Sequence, residues 1–179
     1  MANSRYGNTI YCDAAGILSK SRLCIEGILY VPHAITDVLD LNFWDESNIT
    51  TDTSFNASIA TGVVTETSGT TLSAASFPAT SVVKFLMNST CVTANKTYHL
   101  IGTAGNDAAF TVDPVTTLTD ETTKEYHAQV YPARAFFNAT CTGITNDFES
   151  KYAYLGGVWV DNLIAETITS GAYAIIYFR

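Results

Sequence analysis

Charge is scarce in this 179-residue chain. Asp, Glu, Lys and Arg make up 15% of it, where an ordinary soluble domain has about a quarter. Basic residues are the scarcest: nine Lys and Arg stand against 17 Asp and Glu, for a formal net charge of −8. Nucleic-acid binding needs clustered cations that displace counterions from phosphates, and nine scattered ones do not supply it. The same acidity argues against docking on an anionic membrane surface. No apolar run approaches the ~20 residues of a membrane-spanning helix. The first residues, Met1-Ala2-Asn3-Ser4-Arg5-Tyr6, hold no apolar stretch of signal-peptide length, so secretion is not expected. No segment keeps a helical period with a cap at each end.

Motifs of chemistry are missing as well. No GxSxG elbow, phosphate loop or dinucleotide fingerprint occurs. Gly156-Gly157 lacks the lysine and the helix that phosphate binding demands. His33, His99 and His127 lie far apart, with no HxxxH spacing, and each is better read as structural than as a metal ligand. Asp37, Asp40, Asp45 and Glu46 are the densest run of acids. Calcium takes oxygen ligands from such runs, but the EF-hand spacing is absent and the solvated end of a strand is the favoured reading. Neither enzyme activity nor a cofactor or metal is expected.

Cys12, Cys24, Cys91 and Cys141 form no CxxC pair, which argues against a zinc knuckle. Three disulfide pairings are open to four cysteines. A hairpin joining residues 10–13 to 22–26 would set Cys12 opposite Cys24, while Cys91 and Cys141 share an Asn-x-Thr-Cys context. Four reduced thiols acting as small hydrophobes are favoured over disulfides. Asn48, Asn56, Asn88, Asn95 and Asn138 head N-x-S/T sequons, which matter only in a secreted chain.

What is present is strand-forming. Hydrophobic residues reach 47% and aromatics 12%, enough for a packed core in one domain of this length. Thr, abundant here, favours the pleated backbone through its branched Cβ. Ile10-Tyr11-Cys12-Asp13 reads as a strand closed by Ala14-Ala15-Gly16. Residues 22–31 form an apolar strand that stops at Pro32, with Gly27 marking a bulge or a close backbone approach. Residues 38–44 alternate and form the next strand. Residues 59–64 are a weaker candidate, and residues 81–87, 96–102 and 126–131 are further strands. Residues 133–137 fit a short helix or a strand. Residues 158–160 and 163–169 lead to Ser170-Gly171, read as a tight hairpin turn, and 172–178 form the last strand. Segments 45–80 and 103–125, polar and Thr/Ser-rich, are expected as loops or irregular insertions.

Short strands with recurrent turn signals indicate an all-β fold. The expectation is a single domain over 1–179: an antiparallel β-sandwich, jelly-roll-like or immunoglobulin-like, of about 8–10 strands with long loops. Tyr6, Phe43, Trp44, Tyr152, Tyr154 and Trp159 are candidates for a sugar-binding or protein-binding face. Core positions are expected for Trp159 and Phe178, and an interface anchor for Trp44, beside a polar loop.

The segment from Ile10 to Gly16, followed by Ile25-Glu26-Gly27-Ile28-Leu29-Tyr30-Val31-Pro32-His33-Ala34-Ile35-Thr36-Asp37, resembles small structural proteins of tailed bacteriophages. Gly157-Val158-Trp159-Val160-Asp161-Asn162-Leu163 and Thr169-Ser170-Gly171-Ala172-Tyr173 are similar to their last hairpin. The likeness covers roughly the first 45 and last 25 residues. It implies a virion protein assembled in the host cytoplasm: a capsid cement or decoration protein, with a trimer favoured and the major capsid protein or another virion protein as partner. A tail, neck or fibre-associated protein and a sandwich-type carbohydrate-binding module are the alternatives.

Overall fold

The computed structural model describes residues 3–86, 90–92, 95–141 and 150–179. It is all-β and antiparallel. Fifteen strands follow in chain order: β1 Ser4–Tyr6, β2 Thr9–Cys12, β3 Gly16–Ile17, β4 Leu23–Val31, β5 Val38–Trp44, β6 Thr51–Ala60, β7 Val63–Ser68, β8 Val82–Phe85, β9 Tyr98–Thr103, β10 Ala109–Asp113, β11 Glu121–Tyr131, β12 Ala133–Thr140, β13 Lys151–Val160, β14 Leu163–Ile168 and β15 Tyr173–Phe178. A short 3-10 turn occupies Val115–Thr117. Residue contacts divide the chain into two compact units, Met1–Phe43 with Arg134–Arg179, and Trp44–Ala133.

The first unit holds a five-stranded sheet in the order β1-β2-β15-β4-β13 and a four-stranded sheet in the order β12-β5-β14-β3. Strand alternation decides which side chains turn inward. Ile10 and Cys12 of β2, Ile28 and Tyr30 of β4 and Ala174, Ile176 and Phe178 of β15 join Leu39 and Leu41 of β5 and Leu163 and Ala165 of β14 in one hydrophobic core. Phe178 is a core residue, as expected. Tyr30 is fully buried, and burial, with Asp37 and Cys141 near, pushes its phenol up to about 12.

Two expected hairpins do not form. β2 pairs with β1 and β15, and β4 pairs with β13 and β15. The C-terminal strand therefore lies between β2 and β4, and Cys12 does not face Cys24. The turn at residues 169–172 closes with an Ala172 N–H to Thr169 carbonyl bond of 3.0 Å, but it carries the chain from β14 in one sheet to β15 in the other. Residues 161–162 make the same kind of crossing between β13 and β14. In each case the core is buried from both sides, which a hairpin within one sheet would not achieve.

The second unit is a closed six-stranded barrel, β10-β7-β6-β11-β8-β9. Closure removes the free edges that invite aggregation. Segments 45–80 and 103–125, expected as loops, contribute β6, β7, β10 and the start of β11. The reading from 59 to 64 as one strand is corrected too. Thr61 and Gly62 both have positive φ, 51° and 73°, and turn β6 into β7 with Ile59 opposite Val64. Two positive-φ residues match the right-handed twist of a hairpin. Glycine is needed at 62, where a Cβ would lie 2.1 Å from the Val115 carbonyl oxygen. Residues 133–137 are strand.

The barrel is filled by rings. Phe77 stacks on Phe110 at 5.0 Å between centroids and 15° between planes, and meets Phe55 edge-on at 5.6 Å. Phe85 and Tyr126 pack at 5.2 Å. Glu66 fastens the loop that leads to Phe77: its carboxylate accepts the N–H groups of Thr71 and Leu72 at 3.0 Å. Burial raises the Glu66 pKa, but these bonds and the Thr71 hydroxyl outweigh it and hold the carboxyl below its ordinary value. A depressed folded-state pKa stabilises the fold above the unfolded value, about 4.3, and the contribution is lost as pH falls through the folded value. The amides of Thr71 and Leu72 are therefore expected to lose hydrogen-exchange protection on acidification in that range, and to show no such step in Glu66→Gln.

Candidate contact face

Register places a continuous row of tyrosines on the outer face of the five-stranded sheet. Inward residues Ile176 and Ile28 are paired, so their strand neighbours Ile175, Tyr177, Gly27 and Leu29 turn outward. Tyr177 lies beside Thr9 and Gly27, Ile175 beside Tyr11 and Leu29, and Tyr173 beside Val31. Tyr152 pairs with Leu29 and Tyr154 with Gly27. At the other edge Tyr6 pairs with Thr9 and Ser4 with Tyr11. The face thus gathers Tyr6, Tyr11, Tyr152, Tyr154, Tyr173 and Tyr177 among aliphatic and small residues, and none of these outward positions is charged.

Exposure separates the two edges from the middle. Tyr6 is 69%, Tyr152 58% and Tyr154 77% exposed. Tyr11 and Tyr173 are half-buried because they stack on each other, 5.4 Å between centroids and 27° between planes. Tyr152 meets Tyr177 edge-on at 6.2 Å. Gly27 makes room for this: a Cβ there would stand 2.5 Å from the Tyr152 hydroxyl, so the Tyr152 ring lies across β4. The expected close approach at Gly27 is real, and the ladders on both sides of β4 shift register next to it.

Charge begins at one end of the face. Arg179 pairs with Glu26 at 3.7 Å, and Arg22 pairs with Asp161 at 3.7 Å while lying over Trp159 at 5.1 Å. Trp159, expected in the core, is 58% exposed there. Trp44, expected as an interface anchor, is fully buried and packs on Tyr98 at 5.7 Å. The burial of the two tryptophans is the reverse of what was expected. Trp44 is out of phase with Leu39, Leu41 and Phe43, the inward positions of β5, and is buried beside Tyr98 instead, whereas Trp159 lies beyond the register shift in β13 and turns outward. Phe43 is partly buried against the core. Of the candidate aromatics, the structure unites Tyr6, Tyr152 and Tyr154 on this face.

The other candidates remain dispersed. Asp37 is buried and accepts the N–H groups of His33 and Ala34, both at 2.7 Å. Asp45 accepts the Ser47 N–H, and Asp40 accepts an Asn138 amide hydrogen. No group of three or more His, Cys, Asp or Glu converges on a metal position among the described residues. His99 is buried between the Thr97 and Thr117 hydroxyls. Asn95 is fully buried, with its amide bonded to Thr119 and Glu121, so that sequon is closed to modification. Asn88 lies outside the described residues.

One arrangement was not foreseen. On the barrel wall, Ser54 Oγ lies 2.9 Å from His127 Nδ1, and His127 Nε2 lies 2.6 Å from Asp52. Bonds from Gln129 and from His127 hold the Asp52 carboxyl below its ordinary value. A serine nucleophile works in a dry site with aimed oxyanion donors. Here Ser54 and Asp52 are exposed on an open wall, and the three residues act as a cross-strand polar ladder.

All four cysteines are buried and carry no disulfide, and burial pushes the Cys12 thiol up to about 12. Only the thiolate is a good nucleophile. None of the four is therefore expected to react with a thiol reagent in the folded chain, and all four are expected to react in denaturant, as read by mass spectrometry. Fast native labelling of any cysteine would contradict this burial.

Among known proteins, no family model, no curated sequence and no solved structure matches the chain.

Proposed function

We propose that this chain is a structural protein of a virus particle, a capsid cement or decoration protein that bridges neighbouring shell subunits through the tyrosine face. The observation that carries the reading is that face: aromatic, uncharged and unpartnered, on a chain whose net charge is −8. Interface cores are enriched in tyrosine and depleted in charge, because the ring buries apolar area while the hydroxyl keeps a hydrogen bond. The likeness of both chain ends to tailed-phage structural proteins points the same way. In this reading the two-layer unit is a β-sandwich, the function is contact without catalysis, and the partner is the major capsid protein. A homotrimer on a local threefold axis buries one interface repeatedly.

Size supports a lattice role. Five strands about 4.8 Å apart and three outward rows about 6.6 Å apart give a patch on the order of 300–400 Å². That is well short of the roughly 800 Å² per partner of a stable interface. One contact is weak, and many copies on a symmetric shell give firm attachment through avidity.

Stoichiometry in purified particles tests the reading. Hundreds of copies are expected. About six or twelve would move the protein to the tail or neck, and none would remove it from the particle altogether.

A further inference from the structure

At the β1–β2 end of the tyrosine face, the side chains leave a groove of about 340 Å³, lined by Ser4, Tyr6, Thr9, Tyr11 and Ile175. We propose that this groove is a binding site for a neutral saccharide. The site does not depend on whether the protein belongs to a particle.

Three features select the ligand. The first is size: the groove sits at the low end of the range for small-molecule sites, which suits one or two sugar rings. The second is charge. No Asp, Glu, Lys, Arg or His lines the groove, and the chain is acidic overall, so an anionic ligand meets repulsion and a cation finds no carboxylate in the lining. The third is the alternation of ring and hydroxyl. Tyr6, Tyr11 and Ile175 offer apolar surface, while Ser4, Thr9 and the two phenols offer polar groups. The Thr9 hydroxyl already donates to the Tyr6 carbonyl at 2.8 Å, which leaves its oxygen free to accept. A pyranose matches this lining, with C–H faces for the rings and hydroxyls around its edge.

The geometry also disfavours a flat aromatic ligand. Such a ligand gains most by insertion between two rings, but Tyr11 has one face already covered by Tyr173. One open ring face beside an exposed Tyr6 makes a platform, which suits a sugar lying on it.

The test uses the full chain with maltose, cellobiose, lactose and chitobiose, followed by titration calorimetry and by ligand-detected NMR. Saturable binding of at least one of them in the millimolar range is expected. Tyr6→Ala is expected to weaken it about tenfold, equivalent to 1.4 kcal/mol, and Tyr11→Ala likewise. Tyr154→Ala, on the same face but outside the groove, is expected to leave it unchanged. Tyr6 is an exposed edge residue, so its variant reports even if Tyr11→Ala fails to fold. Absence of binding by all four sugars overturns the proposal, as does binding that Tyr6→Ala leaves intact. Preference for a sialylated sugar or a proline-rich peptide at this groove overturns it too. The copy number in particles is a separate measurement, so either proposal can fail without the other.

Discussion

Replacing Phe77 by alanine is expected to destabilise the barrel unit by about 3–5 kcal/mol. Phe77 belongs to no strand. It stands on the connection between β7 and β8 and is fully buried, stacked on Phe110 and edge-on to Phe55. Its own backbone is tied at both ends: its N–H donates to the Ser73 carbonyl, and its carbonyl accepts the Gly105 N–H, each at 2.8 Å. A Cβ on Gly105 would come within 3.1 Å of the Phe77 Cβ. The connection is therefore held in place on two sides and cannot collapse to fill the space an alanine leaves. Cavities that cannot collapse carry the full cost of the lost contacts. A domain stable by about 5–15 kcal/mol loses a large share of that. Urea unfolding followed by a barrel-specific signal, such as exchange of the β6 and β11 amides, measures it. Phe77→Leu is expected to cost clearly less. A loss below about 1 kcal/mol for the alanine would show that the ring does not plug the barrel.

Phe77 also marks where sequence patterns stop informing. Within a strand, alternation is local, and β5 was legible residue for residue from 38 to 44. A lone phenylalanine among Thr, Ser and Ala has no period, so its segment read as irregular, although it supplies the centre of a core. Pairing partners were equally hidden. The runs at 158–160, 163–169 and 172–178 are strands, as their composition says. Whether a turn returns the chain to the same sheet or carries it across to another depends on where a second layer can bury it. Nothing within four residues of Gly171 encodes that. Thr61-Gly62 is the opposite case, a two-residue positive-φ turn whose signal lay in plain view inside a run read as one strand. The contact face was half legible. Tyr152 and Tyr154, and Tyr173, Ile175 and Tyr177, carry the period of 2 that puts them on one side of a sheet. Tyrosine suits both core and surface, so the period gave the shared side without saying that it faces outward.

Under the proposed shell role, removing three rings from that face, Tyr152→Ser with Tyr154→Ser and Tyr177→Ser, is expected to weaken attachment of the isolated chain to depleted particles by about 100-fold or more, with the fold retained. Truncated anchors at the centre of an interface cost about 2 kcal/mol or more each, and not additively, so 100-fold, about 2.7 kcal/mol, is a modest expectation for three. Stability should move little, because Tyr152 and Tyr154 are mostly exposed and none of the three belongs to the hydrophobic core. Gly27→Val probes the same surface without deleting a ring. Its side chain would occupy the space where the Tyr152 hydroxyl now lies, so the ring must lift away from β4, and an intermediate loss is expected. The pair of variants separates chemistry from shape: the triple variant removes apolar area, whereas the valine keeps it and tilts it. Were the triple variant to attach within about threefold of the parent chain, a difference of some 0.7 kcal/mol, the particle contacts would have to lie elsewhere. The outer edge of β13, which ends its sheet among the described residues, or the barrel wall would then be the surfaces to test, and the tyrosine face would lose its claim to be the proposed contact surface.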